Sequence, residues 1–284
     1  MLVQRILTAI ALLALLLPAI FLAPAWVWGG LSLLFLAAAA HEWARLLPAG
    51  QGTAARRGRR AMPFLVVLGG TGLLVLREWH GWPAPVLVVA MLGLSSWWVI
   101  AGSLPLRRRD AASAGGALTV GLLLLGCWVA LHELRVMGPF ALLSSMAVVW
   151  VADIAAYFAG RAFGRRKLAP TISPGKTWEG AVAAVVVVVA AGLASAALAG
   201  ESGVAMHLLP AVLVAWLGAP WAGLAFVALV ALSIVGDLHE SLLKRQAGVK
   251  DSGRLLPGHG GVLDRIDALI PTMPVVLLLH LLST

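Results

Sequence analysis

The sequence has few charged residues and a single cysteine. Of its 284 residues, 12% are charged and 61% belong to the hydrophobic set AVILMFWYC, whereas an average soluble domain has about 25% charged and about 45–50% apolar residues. Because 21 basic and 12 acidic residues are too few to cover a soluble domain of this size, that class is excluded. Cys127 lies alone in an apolar run, which excludes an intrachain disulfide and a cysteine-based metal site.

Long apolar runs dominate the chain instead. They extend over roughly twenty residues, the length that an α-helix needs to cross hydrocarbon, and the alternation of an outer-membrane barrel is absent. We therefore predict an all-α, polytopic integral membrane protein with nine spans, its N-terminus inside and its C-terminus outside. The first run follows Arg5, as in a signal peptide, but it is longer than the apolar part of such a peptide, so we expect a span. The predicted spans are 5–23, 26–46, 61–76, 84–103, 116–133, 139–159, 180–200, 221–243 and 268–283.

The basic residues determine the predicted topology. The formal net charge of +9 is explained by the positive-inside rule, and nucleic-acid binding is not expected. If 204–219 does not span, 19 of the 21 basic residues lie inside and only Arg77 and Arg135 lie outside. If it spans, the ratio falls to 14 against 7. This segment is short and contains Pro210, so we place it at the outer interface.

The chain divides into two parts of different character. Residues 1–138 contain about five almost purely apolar spans, whose basic loops at 56–60 and 107–109 indicate topology signals and lipid-headgroup contacts. Residues 139–284 carry carboxylates and small polar residues in or beside the helices, with predicted cytoplasmic loops 160–180 and 244–267. We therefore expect the chemistry in the second part.

Two stretches of the second part carry candidate ligand-binding residues. Asp153 and Tyr157 share a helix face, and a carboxylate at membrane depth is normally paired or functional; the alternative is a structural aspartate. The loop 161–180 contains Gly175-Lys176-Thr177, which is no P-loop because Pro170 occupies the position of the required glycine. A Ser-Pro-Gly turn entering a helix N-terminus beside Lys176 would suit a phosphate. The alternative is an ordinary basic loop, with Lys176 extended towards the interface.

The third and strongest stretch begins at the end of the eighth span. Asp237, Ser241 and Lys244 lie along one helical stripe, with Glu240 adjacent. The turn residues 257–261 would let the backbone approach a ligand closely.

Asp264 and Asp267 then open the last helix, one turn apart and on one face. Converging carboxylates predict a hard divalent cation such as Mg²⁺, which takes one or two carboxylates together with substrate phosphates. Lysine and arginine would neutralise the remaining phosphate charge. An ion-paired, solvated loop is the alternative, but it does not explain why Asp237 lies within an apolar run.

At these residues the chain resembles the phosphatidate cytidylyltransferases, or CDP-diacylglycerol synthases. The resemblance extends over about 27 positions and includes Ser241, Lys244-Arg245, Lys250-Asp251, Leu256-Pro257, His259-Gly260-Gly261, Asp264-Arg265 and Asp267. A second block comprises Asp153, Tyr157, Gly160, Ser173-Pro174, Lys176-Thr177 and Glu179-Gly180. Together they cover roughly residues 150–284; the first five spans match only as generic hydrophobic helices, and no functional residue is assigned there.

The resemblance implies the reaction of CTP with phosphatidate to give CDP-diacylglycerol and pyrophosphate. It implies Mg²⁺ held by Asp237, Asp264 and Asp267, allows a monovalent ion such as K⁺ to share the site, and adds Lys244 to the catalytic residues. The expected substrate-binding residues are Asp153, Tyr157, Ser173, Lys176, Ser241, Arg245, Lys250, Asp251, His259 and Arg265. Because the phosphate of phosphatidate is the nucleophile, no activated serine or cysteine is needed.

The expected partners are CTP, phosphatidate and membrane lipids, and formation of a homodimer is left open. We expect a multi-pass protein of a bacterial inner (plasma) membrane whose site faces the cytoplasm, where CTP is found. One alternative is a related lipid cytidylyltransferase with another acceptor, such as an archaeal ether lipid. Another is a secondary transporter, but transporters usually carry symmetry-related repeats and midplane sites, and we find no convincing repeat here.

Overall fold

A computed structural model of the chain describes residues 2–47, 53–110, 115–200, 203 and 205–284. It confirms the predicted all-α membrane architecture. The helices are α1 (Leu2–Phe21), α2 (Ala25–Leu46), α3 (Thr53–His80), α4 (Ala84–Ile100), α5 (Leu104–Arg108), α6 (Ala117–Met137), α7 (Pro139–Phe163), α8 (Trp178–Ala199), α9 (Leu209–Leu217), α10 (Ala219–Gln246), α11 (Leu263–Ile266) and α12 (Leu269–Ser283). Two short strands, β1 (Lys167–Ala169) and β2 (Ser173–Thr177), lie between α7 and α8.

Most of the helices are long enough to cross a bilayer. In the described part of the chain, eight are long and apolar enough to do so: α1, α3, α4 continued by α5, α6, α7, α8, α10, and α11 continued by α12. Helix α2 has 22 residues and carries Glu42 and Arg45 in its last turns, and it is not among these eight. The nine predicted spans coincide with α2 and those eight helices, and the count of nine stays a prediction.

The segment predicted not to span forms a short helix. Helix α9 has nine residues, about 14 Å at 1.5 Å per residue, which is too short for about 30 Å of hydrocarbon. The Leu209 N–H donates to Ser144 Oγ of α7 at 3.0 Å, and Gly218, with φ of 78°, separates α9 from α10. The short helix agrees with the prediction that 205–219 does not span, whereas its location at the outer interface stays a prediction; residue 204 lies outside the described residues.

The two ends of the bundle differ in their basic residues. Arg77, in the last turn of α3, donates from Nε to Glu133 Oε1 at 2.7 Å. Arg135, in the last turn of α6, donates from Nη2 to the carbonyl of Ala23 at 2.9 Å. Arg5, at the start of α1, contacts the loop before α11 instead. The two arginines predicted outside therefore lie together at one end, away from that loop.

The first five spans and the later helices form one packed bundle. Helix α12 packs against α4 and α6 as well as α10, and α6 also packs against α2 and α3. Trp98, Trp128 and Phe226 are among the largest fully buried side chains. Gly192 allows the Phe226 ring of α10 to lie against α8, since a side chain at position 192 would overlap that ring. The site in the second part of the chain thus rests on helices of the first.

The strands β1 and β2 form an antiparallel hairpin, which the sequence analysis did not predict. Lys167 pairs with Thr177 and Ala169 with Ser173, and the turn occupies 170–172. The predicted Ser-Pro-Gly turn at 173–175 is therefore wrong: these residues belong to β2. A proline is tolerated there because both strands of a two-stranded sheet are edge strands, which need no N–H on their outer side.

Candidate active site

The last three turns of α10 position several polar side chains at one end of the bundle. Asp237 begins this stretch, directly after Gly236. A side chain at Gly236 would overlap the carbonyl oxygen of Asp267 and the ring of Pro271. The absence of a side chain thus lets α10 contact the junction of α11 and α12, which places Asp237 beside Asp267.

Lys176 and Asp237 form the open pair, an ion pair that joins the hairpin to α10. Lys176 Nζ lies 2.6 Å from Asp237 Oδ2, and the two side chains are 25% and 30% exposed. Ser241 Oγ donates to Asp237 Oδ1 at 3.3 Å. Both ends of this pair remain accessible to a ligand.

The surroundings of Lys176 differ from the prediction. It lies on β2 rather than in a turn at a helix N-terminus. Thr177 is the N-cap of α8, and its Oγ1 accepts from the Gly180 N–H at 3.2 Å. Because the hairpin continues up to this cap, the Lys176 ammonium is directed at Asp237 instead of the helix terminus.

Glu240, Lys244 and Asp264 form the buried cluster. Lys244 Nζ lies 2.5 Å from Glu240 Oε2 and 2.6 Å from Asp264 Oδ1. The three side chains are only 5%, 12% and 8% exposed, respectively. Buried charges are tolerated only when they are paired and hydrogen-bonded. Lys244, expected among the catalytic residues, thus holds two carboxylates together.

The second oxygen of Asp264 organises the loop that precedes it. Asp264 Oδ2 accepts from the Ser252 N–H at 3.0 Å, from Ser252 Oγ at 3.0 Å and from the Gly261 N–H at 2.8 Å. With Lys244 on Oδ1, both carboxylate oxygens are engaged. Asp264 therefore connects both ends of the loop to α10.

Glu42 of α2 is the functional-site residue that the sequence analysis missed. Its carboxylate is buried and accepts from Ser252 Oγ at 3.1 Å, the Val262 N–H at 3.2 Å and the Leu263 N–H at 2.8 Å. The rule applied to Asp153, that a carboxylate at membrane depth is paired or functional, would have marked Glu42 as well. Glu42 lies far along the chain from the loop that it contacts, so the sequence alone did not reveal its hydrogen-bond partners.

The loop glycines make room for this carboxylate. Side chains at Gly253 or Gly261 would overlap the Glu42 carboxyl group. That 257–261 lets the backbone approach a ligand stays a prediction; at Gly261 the close neighbours in the structure are Glu42 and Ser252. Close packing against the protein's own carboxylate explains the absence of a side chain there.

A cavity of about 660 Å³, which we call the main cavity, lies between α7, the hairpin, α10 and α11. Tyr157, at its rim, is 59% exposed and accepts from Arg161 Nη1 at 3.3 Å. Eight of the predicted site residues line this cavity: Asp153, Tyr157, Ser173, Lys176, Asp237, Asp264, Arg265 and Asp267. The fold thus gathers both sequence blocks around one space that combines four carboxylates with lysine and arginine.

The remaining predicted residues lie elsewhere. A second cavity of about 700 Å³ is lined by Lys250, Asp251 and His259, shares Arg265 with the first, and adds Arg5 and Arg254. Arg265 Nη2 donates to the His259 carbonyl at 2.8 Å, and Arg5 Nε to the Gly258 carbonyl at 2.9 Å.

Ser241, Lys244 and Arg245 are absent from the residues that line either cavity. Arg245 Nε donates to the Ile172 carbonyl at 3.2 Å, which holds the hairpin turn on α10. Ser241 contacts Asp237 and Lys244 contacts Asp264, so these three predicted residues support the site from α10.

Asp237, Asp264 and Asp267 were the predicted metal ligands, and all three line the main cavity. Asp267 Oδ1 accepts from the Ala268 N–H at 2.8 Å. Within the described residues, no group of three histidine, cysteine or acidic side chains is arranged to hold a metal by itself. Mg²⁺ usually takes one or two carboxylates plus substrate phosphates. The donor set therefore fits a metal site that substrate completes, and the metal stays a prediction.

Comparison with known proteins identifies the family of this chain. The model of the Cytidylyltransferase family matches residues 3–283. This chain belongs to that family. The match covers nearly all the helices, so it extends well beyond the 150–284 covered by the sequence resemblance.

Three relatives carry the same name, phosphatidate cytidylyltransferase. The protein from Pseudomonas aeruginosa is 41% identical over 289 residues, which span 97% of this chain and 95% of that protein. The Brucella suis protein is 41% identical over 203 residues, 62% of this chain and 68% of its own. The Haemophilus influenzae protein is 44% identical over 142 residues, 48% of this chain and 44% of its own.

Proposed function

We propose that this chain is a phosphatidate cytidylyltransferase, which converts CTP and phosphatidate to CDP-diacylglycerol and pyrophosphate. The observation that carries the proposal is the main cavity, where Lys176 and Arg265 face the carboxylates Asp153, Asp237 and Asp267 at one end of the helices. The names of the relatives support the same substrates.

The chemistry requires two anions to meet. A phosphate oxygen of phosphatidate attacks the α-phosphorus of CTP; a new P–O bond forms, the bond to the β-phosphate breaks, and pyrophosphate leaves. Lys176 and Arg265 would neutralise phosphate charge in the cavity. The open pair can exchange partners, because the Lys176 ammonium can turn to an incoming phosphate and leave Asp237 free.

Asp237 and Asp267, with Asp264 beside them, would hold Mg²⁺, with K⁺ able to share the site. When bound, the divalent ion would stabilise charge on the attacking and leaving oxygens. The buried cluster would keep Asp264 in place through Lys244, and Ser241 would orient the Asp237 carboxylate.

We propose that the protein lies in a bacterial inner membrane with this cavity on the cytoplasmic side. The distribution of basic residues supports this orientation. The end of the bundle opposite to the cavity holds Arg77 and Arg135, the two arginines expected outside, and the positive-inside rule assigns the end with more basic residues to the cytoplasm. CTP would enter from the cytoplasm, and phosphatidate from the inner leaflet.

The decisive experiment measures pyrophosphate release by the purified protein in detergent. Release should require CTP, phosphatidate and Mg²⁺ together, and it should stop when excess chelator is added. The Asp237→Asn variant is the negative control. Release from CTP without any lipid acceptor, or turnover in excess chelator, would contradict the proposal. A higher rate with an archaeal ether-lipid phosphate than with phosphatidate would favour the alternative acceptor.

A further inference from the structure

A third cavity lies between α2 and α3, apart from the two described above. It has a volume of about 340 Å³, and we call it the α2–α3 basic pocket. Its lining consists of His41, Ala44, Arg45, Arg56, Arg59, Arg60 and Pro63. The proposed reaction uses none of these residues.

Helical spacing directs the basic side chains into this pocket. His41 and Arg45 are four apart on α2, so they share one face. Arg56, Arg59 and Arg60 occupy positions i, i+3 and i+4 on α3 and share another. The two helices pack against each other along their length, which brings these faces together.

Arg59 ties the two sides of the pocket together but keeps unused hydrogen-bonding capacity. Its Nη1 donates to the Leu47 carbonyl after α2 at 2.8 Å. Its Nε is buried and has no hydrogen-bond partner among the described residues. A buried polar group without a partner is costly, so a missing acceptor is indicated.

The pocket also lacks negative charge. No carboxylate lines it, and none of its four arginines has an ion-pair partner within the described residues. The connecting sequence at 48–52 contains no acidic residue. Glu42 is engaged by Ser252 and Leu263 on another side of α2. The four guanidinium groups thus give the cavity a positive charge that a bound anion would neutralise.

We propose that the α2–α3 basic pocket binds the phosphate group of an anionic phospholipid. Arginine presents a planar set of donors that suits phosphate oxygens. The pocket lies where α2 ends and α3 begins, the depth at which headgroups meet a spanning helix. Its neighbour Glu42 reaches the loop before α11, so the pocket lies at the same end of the bundle as the main cavity. A lipid headgroup in that leaflet is therefore the nearest source of phosphate.

Arg57 provides an internal comparison. It is exposed and carries the same charge on the same helix, but it is not part of the pocket lining. A topology signal would need only the charge of α3 and would treat Arg56, Arg57 and Arg60 alike. Of these three arginines, a phosphate site should depend on Arg56 and Arg60 but not on Arg57.

The experiment measures lipid retention by native mass spectrometry of the purified protein, titrated with phosphatidylglycerol or with phosphatidylethanolamine. Phosphatidylglycerol is chosen because it is not a substrate of the proposed reaction. The double variant Arg56→Gln/Arg60→Gln is compared with Arg57→Gln/Arg107→Gln, which removes the same charge from exposed positions outside the pocket. We expect phosphatidylglycerol binding to weaken about 10- to 30-fold in the first variant, given the usual contribution of each arginine near an anionic surface. The second variant should change less than about twofold.

Three results would overturn the proposal. Equal retention of phosphatidylglycerol by both double variants would show that the arginines act only through the overall charge of the protein. Retention of phosphatidylethanolamine as strong as that of phosphatidylglycerol would show that the pocket does not select an anionic headgroup. Displacement of the lipid by millimolar inorganic phosphate would identify a free anion as the ligand. Arg45→Gln, on the other helix, serves as a second test if the α3 variant does not fold. These measurements contain no CTP, so their outcome is independent of the proposed activity.

Discussion

The open pair and the buried cluster join lysine to aspartate in different settings. In the open pair, Lys176 and Asp237 are about a quarter exposed and hold each other across the mouth of the main cavity. In the buried cluster, Lys244 binds Asp264 and Glu240, and none of the three side chains is more than 12% exposed. Separating lysine from aspartate should therefore cost little free energy in the open pair and much more in the buried cluster.

This difference divides the roles of the carboxylates. Asp264 accepts four hydrogen bonds, three of them from the loop at 252–261, so moving it would disturb the whole loop. Asp237 is held only by the side chains of Lys176 and Ser241 among the described contacts, and it can exchange them for ligand. One carboxylate orders the site, and the other is available to a ligand.

The largest combined effect should come from breaking the buried cluster with Lys244→Ala. It would leave Glu240 and Asp264 buried and uncompensated, which typically costs about 3–5 kcal/mol. We expect loss of activity together with a clearly lower thermal unfolding temperature in detergent. Exchanging Glu240 as well, in Glu240→Gln/Lys244→Ala, should recover part of the stability. Unfolding at the wild-type temperature would show that the cluster is not buried as described.

Asp237→Asn should separate activity from stability. The substitution keeps the shape but removes the charge of a proposed metal ligand, so pyrophosphate release should fall by a factor of about a thousand or more, because metal coordination contributes several kcal/mol. Stability should change little, since exposed ion pairs contribute about 0–1 kcal/mol. Thermal unfolding and the release assay on the same preparation test both parts. Near-normal turnover would make Asp237 a structural residue.

Glu42→Gln tests the support that the first helices give to the buried cluster. A neutral amide can accept fewer of the three hydrogen bonds from Ser252, Val262 and Leu263, and a charged hydrogen bond contributes about 1.5–3 kcal/mol. We expect a lower unfolding temperature and a lower kcat with little change in KM. Glu78→Gln, an exposed acid at the far end of α3, is the control and should behave as wild type. Equal effects of the two substitutions would contradict the assigned contacts.

Lys176→Gln should reduce kcat/KM for CTP by about 10- to 150-fold, the equivalent of one charge-assisted hydrogen bond of about 1.5–3 kcal/mol. The unfolding temperature should change little, because the pair is open to solvent and such pairs contribute about 0–1 kcal/mol. Arg165→Gln removes one charge from the same loop without touching the cavity lining and is the control. A change of less than about twofold at Lys176 would leave it as an ordinary interfacial lysine.

The smallest effect on activity is expected from cysteines introduced to determine on which side of the membrane each end of the bundle lies. In a Cys127→Ser background, Val249→Cys lies on an exposed loop after α10 and Glu78→Cys at the opposite end. Both should leave activity unchanged. A membrane-impermeant reagent applied to intact cells should label position 78 and spare 249. Labelling of 249 alone would reverse the proposed orientation.

Local patterns in the sequence account for the spans and for many of the site residues. Hydropathy over about twenty residues marks a spanning helix wherever the rest of the chain lies, so each predicted span coincides with a helix of the structure. Asp153 and Asp237 were also recognisable because charge at membrane depth is costly, and Asp264 and Asp267 because they open the last helix one turn apart on one face. All four line the main cavity.

The partners of these side chains depended on tertiary structure. Glu42 lies 210 to 221 positions from Ser252 and Leu263, and no periodic pattern spans such a distance. The hairpin turn packs on α10 through Ile172, which clusters with Leu238 and Leu242, a contact that the local sequence does not reveal. Helix packing thus decided which lysine became buried between carboxylates and which remained at the mouth of the cavity. Burial and pairing are properties of the assembled bundle, because they depend on the helices that surround a residue as well as on its own sequence.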